Sequence, residues 1–179
     1  LPLSQCAGAT VLAFLQRGSA VNFTEWDQRC MALALEEAQR AADRDEVPVG
    51  AVLTRGNVIL AYGGNAQIEL QDATAHAEIR MLREAGVREG NYRLPGTTLY
   101  VTLEPCTMCC GALVHARVET LIFAAREPRA GAVVSTGALL DNPAFNHRVR
   151  WTEGLCEAES ADLLRQFFQR RRSATGEAD

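Results

Sequence analysis

Two short stretches, T-A-H-A-E at 74–78 and E-P-C-T-M-C-C at 104–110, offer His76, Cys106 and Cys109 to a single metal ion, with Glu78 beside them. One histidine and two cysteines close three corners of a zinc tetrahedron and leave the fourth for water, the arrangement of a catalytic rather than a structural zinc. This constrains the fold strongly, because two segments far apart in the chain must meet at one point. Each stretch follows a predicted strand and opens a predicted helix, so both helix N-termini can converge on one cleft. The positive end of a helix dipole lowers a cysteine pKa and favours the thiolate that a metal needs.

Spacing alone leaves one ligand open. On a helix, Cys106 shares a face with residues three and four further on, so either Cys109 or Cys110 can supply the second thiolate. Glu78 raises a second geometric condition. Residues two apart lie about 200° apart around a regular helix. His76 and Glu78 therefore serve one site only if they sit at the first, open turn. A carboxylate there can take a proton from water and return it to a leaving amine. Asn65 follows Gly63 and Gly64, which permit close backbone approach to a ligand, and its amide can read a purine edge. Glu104 reads as structural rather than catalytic.

The rest of the chain supplies a frame for such a site. Thr24-Glu25-Trp26-Asp27 has the form of a capping box, and apolar residues at helical spacing follow it to about Asp43. Val47–Leu53 and Val58–Tyr62 form a predicted hairpin around Gly56-Asn57. A helix is expected from His76 to about Ala85, stopped by Gly86. A strand is expected over 97–103, a cysteine-bearing helix to about Ala116, and a strand over 118–125. Residues 126–143 are rich in glycine and carry no clear pattern. A short strand over 148–151 and a helix over 157–172 close the series. The order predicts a three-layer α/β/α sandwich with a mixed sheet of about five strands. Residues 1–21 read as an arm outside the fold, 22–173 as one domain, and 174–179 as an acidic tail.

Charge and cysteine usage narrow the partners. The net charge of −4 argues against general polyanion binding by the whole surface. The charge is uneven: residues 117–172 carry nine arginines and seven acids, net +2, which concentrates Arg126, Arg129, Arg148, Arg150 and Arg170-Arg171-Arg172 in the last third. All cationic residues are arginine, a side chain suited to bidentate phosphate contact and base stacking. Six cysteines in a chain of this size, three of them bunched at 106–110, do not form a small secreted disulfide scaffold. A reducing compartment, the cytoplasm, is expected. No apolar run reaches membrane-spanning length, and the patch Val11–Leu15 lacks the flanks of a signal peptide.

The pattern H-x-E…P-C-x-x-C is the signature of zinc nucleobase deaminases. The stretches E-V-P-V-G-A-V, N-Y-R-L, T-L-Y-V-T-L-E-P-C-x-M-C, F-N-H-R-V and the closing L-L-x-x-F-F-x-x-R-R go further. From about Asn22 to Ser173 the chain resembles the bacterial tRNA adenosine deaminases. The resemblance implies a homodimer that converts adenosine to inosine at the anticodon wobble position, chiefly of arginine tRNA. It implies His76, Cys106 and Cys109 as zinc ligands, one zinc per subunit, Glu78 as proton shuttle and Asn65 as base contact, with Val49 lining the base pocket. Glu127, Asn146, His147, Arg148, Phe168 and Arg171 are the RNA contacts it suggests. The chain departs from the family at Glu127, where Asp is common, and at Cys110, where a small residue is usual. An anticodon loop offers an unstacked base at low cost, which suits chemistry on a base. Two other readings share the motif: a zinc deaminase of a free nucleobase or nucleoside, and a non-enzymatic protein, either a structural zinc domain or an RNA-binding scaffold that has lost catalysis.

Overall fold

The computed structural model describes residues 22–175. The expected arm at 1–21 and the last four residues of the expected tail lie outside the described residues. The elements are α1 (Glu25–Ala42), β1 (Gly50–Arg55), β2 (Val58–Gly64), α2 (Ala77–Glu89), β3 (Thr97–Leu103), α3 (Thr107–Ala116), β4 (Thr120–Ala125), β5 (Arg150–Glu153) and α4 (Glu157–Thr175). The capping box is present: the Asp27 amide donates to Thr24 Oγ1 at 3.1 Å, and the Thr24 amide donates to Asp27 Oδ2 at 2.8 Å.

The five strands form one mixed sheet in the order β2-β1-β3-β4-β5. Alternation along the strands builds two cores, because successive side chains point to opposite faces. Ala51, Leu53, Leu99, Val101, Leu121 and Phe123 face α2 and α3. Val52, Tyr100, Ile122 and Ala124 face α1, and α4 packs beside α1 against β3 and β4. This is the expected three-layer sandwich. Among the described residues no helix is long and apolar enough to cross a membrane.

Strand direction decides where a site can form. β2 and β3 each run antiparallel to β1, so they run parallel to one another. β4 is parallel to β3. The C-terminal ends of β2, β3 and β4 therefore lie at one end of the sheet, and β1 begins there. α2 and α3 both start from that end, and Val49, just before β1, is buried there. Clefts outside strand C-termini are the usual ligand sites of open α/β sheets.

Several boundaries differ from expectation. α2 does not stop at Gly86 but runs to Glu89, where Gly90 takes the left-handed conformation (φ 61°) and its amide caps the Gly86 and Val87 carbonyls. β4 begins at Thr120, β5 is shifted two residues on, and α4 extends to Thr175. Gly64, directly before Asn65, also serves a different purpose from the one expected. Gly64 pairs with Gly50 across β1 and β2. A side chain at Gly50 would strike the Ala34 carbonyl, and one at Gly64 the Glu37 carbonyl. Both glycines let α1 lie directly on the sheet, and they admit a helix rather than a ligand.

Candidate active site and metal centre

The two donor stretches meet at the shared strand end. His76 is the N-cap of α2 and Cys106 the N-cap of α3, both with extended backbone and neither using its side chain as a cap. Side chains freed from capping point over the helix ends. Glu78 lies in the first turn of α2, which meets the condition that its spacing from His76 imposed. Asn65 takes over the capping of α2: its Oδ1 accepts from the Ala77 amide at 2.9 Å. With that oxygen engaged, the NH2 is the half of the Asn65 side chain that remains to donate.

His76 Nδ1 lies 3.8 Å from Cys106 Sγ and 3.6 Å from Cys109 Sγ. The three donor atoms all fall within 4.8 Å of one another. Tetrahedral zinc, with Zn–N of about 2.0 Å and Zn–S of about 2.3 Å, separates N from S by roughly 3.6 Å. The spacing and the donor types both fit the ion. Cys110 is turned away: its thiol is buried in the core of the α2–α3 layer and donates to the Pro105 carbonyl at 3.6 Å. The structure thus brings Cys109, not Cys110, to His76.

Charge in the trio follows from this crowding. The Cys106 thiol is drawn down to about 4, first by a hydrogen bond from Cys109, against burial, with the His76 ring adding to the drop. Cys109 is pushed up by that same bond and by burial. His76 is raised by its hydrogen bond with Cys106, against burial. Two adjacent thiolates repel, so protons hold the trio together where a divalent cation would otherwise displace them. Cys110 is raised to about 12, chiefly by burial. Glu78 is buried, and burial raises its carboxyl above the ordinary range.

The other expected contacts divide by position. Val49 is buried in the core at the site end of the sheet. Glu127 begins the segment after β4, and its carboxylate accepts from the Arg129 amide at 2.9 Å. Asn146 accepts from Arg117 at 2.7 Å and His147 Nε2–H donates to the Val118 carbonyl at 2.7 Å. Arg117 and Val118 follow α3, so this pair sits at the opposite end of a 10-residue helix from Cys106, roughly 15 Å away. Arg148 donates to the Asp141 carbonyl. Phe168 is exposed and meets Phe167 edge-on. Arg171 stacks on Phe167 and donates to the Asp45 carbonyl. Two arginines expected to face phosphate are paired within the chain, Arg126 with Glu153 and Arg150 with Glu119.

Three supporting residues were missed in the sequence, although the Asp72–Thr74 turn is local. Buried Glu46 accepts from the Ile68 and Glu69 amides and holds the loop after Asn65. Asp72 accepts from the Thr74 amide and hydroxyl, and Arg83 donates to it, just ahead of His76. Ser135 meets Glu104. A lone acid or serine has no spacing rule, and only the folded contacts reveal its role.

The sheet order and the His-Cys-Cys trio over two helix starts define a zinc-dependent deaminase. The family model for the cytidine and deoxycytidylate deaminase zinc-binding region matches residues 24–125. The tRNA-specific adenosine deaminase of Agrobacterium fabrum is 49% identical over 142 residues, 79% of this chain and 93% of its own length. That of Aquifex aeolicus is 45% identical over 143 residues, covering 80% and 94%. A solved structure from work on A-to-I editing by tRNA:A34 deaminases superposes with a TM-score of 0.74 at 48% identity, over 76% of this chain and 99% of that one. The guanine deaminase of Bacillus subtilis aligns at 0.55 and 28% identity, over 85% and 97%. The chain belongs to the tRNA-specific adenosine deaminase family.

Proposed function

We propose that the protein deaminates adenosine to inosine at the wobble position of a tRNA anticodon, chiefly of arginine tRNA. The observation that carries this reading is the His76, Cys106 and Cys109 trio over two helix starts, in a chain 49% identical to a tRNA-specific adenosine deaminase. His76, Cys106 and Cys109 would hold the zinc, which when bound would supply a water activated for attack on the base. Glu78 takes one proton from the attacking water and delivers it to the purine ring nitrogen, then takes the second from the hydroxyl left on the purine carbon and gives it to the amine, which leaves as ammonia. Its place in the first turn of α2, beside the His76 N-cap, supports both roles, and burial raises its carboxyl in the direction a proton carrier needs. The Asn65 NH2 orients the base, and Val49 walls the pocket.

The anticodon loop enters with its target base unstacked. Glu127 lies nearest the flanking nucleotide. Asn146, His147 and Arg148, at the far end of α3, meet the flanking stem rather than the target base, and Phe168 and Arg171 extend that contact along α4. We propose a cytoplasmic homodimer. α3 carries no charged residue among its ten, and a cavity of about 230 Å³ opens between Gly111, Val114, His115 and residues 144–146. A helix this apolar suits a covered face.

The test is incubation with total tRNA followed by sequencing for A-to-inosine changes at wobble positions. Ammonia release from free guanine or cytosine, with unmodified tRNA, would replace this reading with free-base deamination. The guanine deaminase likeness makes that comparison worthwhile.

A further inference from the structure

Glu104 stands between the end of β3 and the Pro105-Cys106 turn, and it is 3% exposed. Everything aimed at its carboxylate is a donor. Oε1 accepts from the Val133, Val134 and Ser135 amides at 3.1, 2.7 and 2.9 Å. Oε2 accepts from the Glu127 amide at 3.0 Å and from the Ser135 hydroxyl. The backbone adds to the attachment. Gly131 bridges to Cys106 and the Ala132 amide donates to the Pro105 carbonyl at 2.9 Å. Gly131 has no room for a side chain, because a Cβ there would strike the Glu104 carboxyl. The loop that begins at Glu127 is thus folded around one acid and laid against a metal-donor turn.

We infer that Glu104 is a positioning residue: its carboxylate pins the 127–135 loop beside Cys106 so that the loop forms a wall of the substrate cleft. The inference rests on the proposed RNA deamination and adds a determinant of substrate affinity to it. Only a carboxylate meets the requirement, having two acceptor oxygens and no donor. A glutamine of the same shape must turn its NH2 either to three amides or to the Glu127 amide and the Ser135 hydroxyl, and each arrangement sets donor against donor. The loop then leaves its wall, while His76, Cys106 and Cys109 keep their own helix starts.

The experiment compares full-length wild type, Glu104→Gln and Ser135→Ala by zinc content, amide hydrogen exchange and kinetics on an anticodon stem-loop. In Glu104→Gln, zinc stays at the wild-type ratio and exchange at 127 and 133–135 rises at least tenfold, with α3 amides unchanged. KM rises roughly tenfold while kcat stays within about threefold. Ser135→Ala moves the same amides and KM in the same direction, by roughly twofold to fivefold. Unchanged exchange and KM in Glu104→Gln, beside an active wild type, overturn the inference. So does loss of zinc with an unaltered KM in the loaded fraction, which would make Glu104 a support of the metal alone. If Glu104→Gln fails to fold, Ser135→Ala decides, and wild-type exchange and KM in it overturn the inference. A wild-type chain inactive on the stem-loop overturns the functional reading itself, whatever the exchange shows.

Discussion

The helix starts at His76 and Cys106 and the loop at 126–136 border the same cleft but are built differently. The helix starts are local constructions: each follows a strand end, and each places its donor at the N-cap. The loop has no regular element of its own over most of its length and takes its shape from Glu104, which precedes it by more than 20 residues. The first kind of structure is rigid and tolerates little change in residue type. The second depends on one buried acid and can change its outer residues, such as Glu127, without touching the metal donors. Substrate choice can therefore change in this fold while the reaction is kept, and tRNA-specific adenosine deaminases and a guanine deaminase of similar architecture are such a pair by name.

Substitutions at the two regions should break apart accordingly. The largest effect is expected for Glu78→Gln, which keeps zinc but lowers deamination by roughly 10³-fold; metal analysis beside ammonia release checks both halves, and near-normal turnover would remove Glu78 from the mechanism. Next, Cys109→Ser is expected to lose zinc. Cys110→Ala should keep it and lose only about 1 kcal/mol of stability from the core. Metal content and thermal melts of the pair test whether neighbouring thiols have the separate roles their directions suggest.

A smaller effect concerns RNA alone. Replacing Arg170, Arg171 and Arg172 with alanine should flatten the dependence of log binding constant on log salt by about 1 to 2, with zinc unaltered. An unchanged slope would place these exposed arginines off the phosphates. The smallest effect is at Asp72, drawn down to about 2 chiefly by its hydrogen bonds from Thr74 and, after those, from Arg83. Its folded pKa lies below the unfolded value of about 3.9. Its contribution is therefore present above pH 4 and lost as pH falls toward 2. Asp72→Asn should melt lower than wild type at pH 6, with the gap closing between pH 4 and 2.

Legibility followed the range of the interactions. The capping box at Thr24, the strand alternation and the helix-start donors depend on residues within four of one another, and all were readable. Gly86 misled because a glycine can sit inside a helix whose end is capped by another, Gly90. Gly64 misled because the carbonyl it packs against, that of Glu37, lies on a different element, α1. Arg126 and Arg150 looked available to phosphate until Glu153 and Glu119, on other elements, came opposite them.

The sequence by itself determined the donor types, the fold class and the reaction class, because metal ligation and strand or helix periodicity are properties of short segments. Helical spacing left Cys109 and Cys110 open and the resemblance favoured Cys109; the tertiary structure supplied the physical reason, since Cys109 faces His76 and Cys110 the core. It also decided that Glu104 and the loop at 127–135 belong together. That contact joins segments whose separation along the chain hides it, and the free energy of burying a carboxylate is recovered only when all its donors arrive at once.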